Sequence, residues 1–106
     1  MEPPKLVQSS LGDRLVNLND STTFECTFFG NPVPSITWRS IADNGHVSSL
    51  VDKEKSEITS RLILTNISWY DQGPIECHAK SLLGEDFGSG NLSTLCKYTK
   101  PTKGLI

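Results

Sequence analysis

The chain has 106 residues, a net charge of −2 and 36% hydrophobic residues, which suits a single domain with a modest core. Its Lys and Arg are scattered, so it lacks the concentrated basic face that phosphate binding needs, and no nucleic-acid partner is expected. No apolar run approaches the ~20 residues that cross a bilayer, and Met1 to Ser10 has no apolar stretch of the signal-peptide kind, so direct membrane insertion of this segment is not expected.

Pro3-Pro4 predicts an extended lead-in, because proline cannot donate to a central ladder. Val16 and Leu18 alternate with polar neighbours, and Asn19-Asp20 suits a turn because both residues tolerate left-handed backbone. Phe24, Cys26 and Phe28 alternate with Glu25 and Thr27 until Gly30-Asn31-Pro32 and Pro34 end the strand. Ile36 and Trp38 alternate with Thr37 and Arg39. A period of two marks strands with one buried face. Ser40 to Glu57 is polar and weakly patterned, and reads as a long connection with a short edge strand near Val47 to Val51.

Leu62, Leu64 and Ile67 follow, then the turn Asp71-Gln72-Gly73. Ile75, Cys77 and Ala79 alternate with Glu76, His78 and Lys80. Leu83 to Asp86 reads as a hairpin loop, and Phe87 to Leu95, with Gly88 and Gly90, as the last strand. The expected division is one domain over residues 1–96 and a C-terminal linker or tail over 97–106. Many short strands separated by turn signals predict an all-β sandwich or barrel. The predicted core is Phe24, Ile36, Trp38, Leu62, Leu64, Ile67 and Ile75, together with Cys26 and Cys77.

Cys26, Trp38 twelve residues on, and Cys77 preceded by Asp71-x-Gly73 resemble an immunoglobulin domain of the I-set type. Gly30-Asn31-Pro32-x-Pro34 before Ile36-x-Trp38 is similar to that group's approach to its strand C, and Leu62-x-Leu64-x-x-Ile67 to its strand E. Ala79 followed by Gly84 is similar to its F–G hairpin. The resemblance implies a β-sandwich of two antiparallel sheets with Greek-key topology. It implies a Cys26–Cys77 disulfide between the sheets with Trp38 packed on it, and a corner held by Asp71 and Gly73. One departure is plain: Ile75 stands where the family usually has a Tyr that bonds back to the corner, which should cost about 1 kcal/mol.

The expected function is protein binding, as an extracellular module of a receptor, adhesion molecule or matrix protein. The alternative is a structural module of an intracellular muscle or cytoskeletal protein, with both core cysteines reduced. No catalysis, metal or cofactor is expected, since no nucleophile elbow, metal-ligand spacing or Gly-rich phosphate loop occurs. The expected partner is another protein, including another immunoglobulin domain or a second copy. Its place is the C–F–G face and the F–G tip, through Arg39, His78, Leu82 and Phe87. Gly88 and Gly90 suggest room there for a partner's backbone or ring. Asn19, Asn66 and Asn91 begin N-x-[ST] sequons and are glycosylation candidates. Trp69-Tyr70 reads either as one ring covering the core bottom with the other outside, or as a contact with a neighbouring domain. Cys96 has no partner left in this chain, and is expected as an unpaired or intermolecular thiol.

Overall fold

The computed structural model describes residues 1–40 and 45–95. Eight strands follow one another: β1 (Glu2–Ser9), β2 (Asp13–Asn17), β3 (Thr22–Asn31), β4 (Ser35–Ser40), β5 (His46–Asp52), β6 (Glu57–Leu64), β7 (Gly73–Ser81) and β8 (Gly84–Leu95). One 3₁₀ turn, Trp69–Asp71, lies between β6 and β7. The strands form two four-stranded sheets, ordered β1-β3-β6-β5 and β2-β8-β7-β4, packed as a Greek-key sandwich. All neighbours are antiparallel except β2 and β8, which run parallel. The expected hairpin loop is shorter than its sequence suggested. Lys80 pairs with Glu85 and Ser81 with Gly84, so only Leu82 and Leu83 form the turn.

Period-two alternation sets the core. Phe24, Leu64, Ile67, Ile75 and Leu92 are fully buried and pack with Leu62 and Val16 at one end of the sandwich. Cys26, Phe28, Ile58, Cys77 and Ala79 form the other half. Cys26 and Cys77 are bonded across the sheets with Cα atoms 6.7 Å apart. Arg14 closes the first half: its guanidinium lies 4.4 Å from the Phe24 ring centroid and donates to the carbonyls of Ser10 and Thr23.

Ile36 and Trp38 differ from the core expectation, for they are only half-buried. Their strand, β4, ends its sheet, so inward side chains on it lack a neighbour on one side. Trp38 still touches both halves of the core, and its indole Nε1 donates to the Oγ of fully buried Ser60 at 2.8 Å.

The glycines of β8 serve the chain itself. A Cβ on Gly90 would stand 2.5 Å from the Gly12 nitrogen, and one on Gly88 3.1 Å from Leu6 and 3.4 Å from the Cys77 sulfur. Both face inward, against the expectation of open room for a partner. The close approach is made by the segment joining β1 to β2, and Asn91 N–H donates to the Gly12 carbonyl at 2.9 Å. Asp86, on the same inward side, accepts from the Leu6 amide at 2.7 Å and clips the two sheets together.

Candidate functional site

β4, β7 and β8 are the C, F and G strands of the expected binding face. Their pairing stacks the outward residues in rows: Ser35, Lys80 and Glu85; Thr37, His78 and Phe87; Arg39, Glu76 and Ser89. The middle row carries the aromatic group. The His78 and Phe87 rings stack with centroids 5.3 Å apart and planes 14° from parallel. His78 Nε2 also lies 2.8 Å from Glu76 Oε1, which fixes the imidazole over the strand. Phe87 keeps 54% of its surface exposed, an open apolar face among polar neighbours. Arg39 is exposed one row along, opposite Glu76, beside a shallow hollow lined by Arg39, Ser40, Pro74 and Glu76.

Sheet register thus brings Arg39, His78 and Phe87 together. Leu82 stands apart. It is 95% exposed at the turn tip, and three pair positions separate Phe87 from the last pair of the hairpin, about 10 Å along the strand. Leu83, beside it in the turn, is exposed to 40%. The tip and the ring row are two apolar points separated by Lys80 and Glu85.

The opposite end of the molecule holds the corner. Asp71 Oδ2 accepts from the Ser68 amide at 2.9 Å, and Asp71 N–H donates to the Ser68 carbonyl. Gly73 has φ 146°, which side chains rarely adopt. Gln72 Oε1 accepts from the Thr94 amide at 3.0 Å. Ile75 is fully buried, so these local bonds hold the corner in place of a tyrosine hydroxyl.

Neither Trp69 nor Tyr70 covers the core bottom; they are 58% and 73% exposed and stack on each other at 4.6 Å. The 3₁₀ turn that carries them buries no residue, because Ile67 already fills that end of the core. Asn19 and Asn66 flank the same end on left-handed backbone, at φ 70° and 49°. Their turns are joined, Asn19 N–H donating to the Ile67 carbonyl and Ile67 N–H to that of Asp20. Asn91 points outward from β8, and all three asparagines are exposed. Cys96 and the tail over 97–106 lie outside the described residues.

Sequence reasoning missed Ser60, Asp86 and Arg14. Ser60 had a signal, since it falls on the inward parity of β6 with Leu62 and Leu64. Asp86 had none, because its partner amide lies 80 positions away.

The family model described as "Immunoglobulin domain" matches residues 3–81. Titin of Drosophila melanogaster is 31% identical over 99 residues, covering 90% of this chain and, rounded, 0% of titin. Interference hedgehog of Drosophila yakuba is 37% identical over 84 residues, with 79% of this chain and 9% of the relative covered. Contactin-5 of Gallus gallus is 36% identical over 77 residues, with 73% and 7% covered. The chain therefore spans less than a tenth of each of these relatives. Among solved structures, the N-terminal eight Ig domains of Down Syndrome Cell Adhesion Molecule align at TM-score 0.79 and 26% identity, covering 88% of this chain and 12% of that one.

Proposed function

The chain belongs to the immunoglobulin domain family, and from that premise we propose that it is a protein-binding extracellular module of a cell-surface receptor, adhesion molecule or matrix protein. The observation that carries this reading is the stacked His78–Phe87 pair in the open centre of the β4–β7–β8 face, with Arg39 and Glu76 beside it. An exposed ring in a polar surround is the arrangement of a binding anchor. The Cys26–Cys77 bond and three exposed sequon asparagines support an oxidising, glycosylating compartment. The partner is a second protein that buries Phe87 and reaches Leu82 at the tip.

The test is a screen of the multimerised domain against displayed ectodomains, with every hit remeasured using Phe87→Ser and Leu82→Ser. Both side chains are largely exposed, so the melting temperature should hold while affinity falls at least about tenfold. Hits that survive both changes undiminished refute this face.

The titin match, over 90% of the chain, favours a second reading as a structural module of an intracellular muscle or cytoskeletal protein. Intact mass after secretory expression separates the two. A loss of two hydrogens plus glycan supports the first reading. A bare, fully reduced chain of equal stability supports the second.

A further inference from the structure

Each sheet has two marginal strands, and three of the four are guarded against adding another strand. β1 contains Pro3 and Pro4 and two register shifts against β3. β2 is only five residues long. β4 places Arg39 at its exposed margin. β5 has no such device. Its seven residues, His46-Val47-Ser48-Ser49-Leu50-Val51-Asp52, pair with β6 without a register shift, and contain no Pro, Lys or Arg. Every one of them is exposed, including Val47 at 55%, Leu50 at 75% and Val51 at 44%. Among the described residues nothing pairs with the outer edge of β5.

We propose that β5 pairs edge to edge with β5 of a second copy of this chain, antiparallel, about a two-fold axis at Ser49. The strand is complementary to itself in that register. His46 faces Asp52 of the second copy, Val47 faces Val51, Ser48 faces Leu50, and Ser49 faces itself. A closed dimer requires the axis to sit at a residue, because a one-residue slip turns one copy's faces over. Centring on Ser48 or Leu50 leaves end residues unmatched and separates the histidine from the aspartate.

The inner margin fits as well. Val47, Ser49 and Val51 lie opposite Leu62, Ser60 and Ile58 of β6, so they share the face of the core. In the dimer two valine pairs cover each other along that margin and lengthen the core across the axis. Cross-strand apolar pairs and a histidine–carboxylate pair each favour association modestly. The buried area of one strand pair is small, so the dimer is weak. None of the three sequons lies on β5 or β6: Asn19 and Asn66 stand at the end of the sandwich and Asn91 on the other sheet. Glycans there leave this edge uncovered. The contact is separate from the β4–β7–β8 face, so a partner on that face and a second copy on β5 can be held at once.

The test uses the full chain with Cys96→Ser, which removes any dimer made by that thiol. Sedimentation velocity from about 10 µM to about 1 mM should show a reversible monomer–dimer equilibrium, as expected of a small interface. His46→Asp, at an exposed position, sets two carboxylates opposite each other in both symmetry-related pairs, and should weaken the dimer about tenfold. His46→Lys should keep it. Ser49→Cys should cross-link to itself under mild oxidation, well ahead of Ser89→Cys, an exposed control on the other sheet. Near-ultraviolet circular dichroism confirms the fold of each variant. A chain that stays monomeric at the highest concentration overturns the proposal. So does a dimer indifferent to His46→Asp, one weakened equally by His46→Lys, or equal cross-linking rates at positions 49 and 89.

Discussion

Replacing Ser60 with Ala isolates the bond that ties Trp38 to the opposite sheet. Ser60 is fully buried, and its Oγ receives the indole N–H at 2.8 Å and the Ser49 hydroxyl at 3.0 Å. After Ser60→Ala the indole donor has no acceptor inside a half-buried site. An unsatisfied buried donor costs about 1–3 kcal/mol, and partial access to water puts this one near the low end. Ser49 is exposed and turns to solvent at little cost. The expected loss is about 1–2 kcal/mol, or roughly 5–10 °C in melting temperature for a chain of this size. Urea unfolding followed by circular dichroism measures it, in the wild type and again in a Trp38→Phe background. With phenylalanine at 38 there is no donor to strand, so Ser60→Ala should cost little there. A coupling energy below about 0.3 kcal/mol across that cycle would show that the indole does not depend on Ser60.

Gly90→Ala should destabilise by about 2–3 kcal/mol, since its Cβ meets Gly12 backbone at 2.5 and 2.7 Å, and backbone yields less readily than a side-chain end. Thermal melts beside Gly88→Ala, whose closest neighbour is the end of the flexible Leu6 side chain at 3.1 Å, should rank Gly90→Ala as the worse. Replacing Cys26 and Cys77 together by Ala removes a link across 51 positions, worth about 4 kcal/mol by the chain-entropy model, read as a lower urea midpoint.

The sandwich is legible in the sequence because alternation over Phe24 to Phe28, Ile75 to Ala79 and Leu62 to Leu64 writes the inner faces directly. The edge position of β4 is not written in Ile36 or Trp38; it follows from β5 joining β6 rather than β4. The glycines of β8 signalled close approach correctly and its source wrongly, since a one-dimensional reading cannot tell a partner's backbone from that of Gly12. Of the two readings of Trp69-Tyr70, the one that put a ring over the core bottom fails because Ile67 had taken that place. The outward rows of the proposed binding face were legible as a parity pattern. The gap between Leu82 and the His78–Phe87 row required the hairpin register.

The parallel pairing of β2 with β8 bears on how the domain carries tension. Glu2 pairs with Asn31 at one end of the sandwich, whereas Leu95 pairs with Asn17 at the other. A pull applied through the two chain ends therefore runs along β2 and β8 in opposite senses. Their five pairs, Asp13–Asn91 to Asn17–Leu95, are loaded together in shear rather than opened one after another. The Arg14 guanidinium, donating to the Thr23 carbonyl of β3, braces this zone against the neighbouring sheet. A domain pulled in this way would hold force at this patch until its bonds fail together.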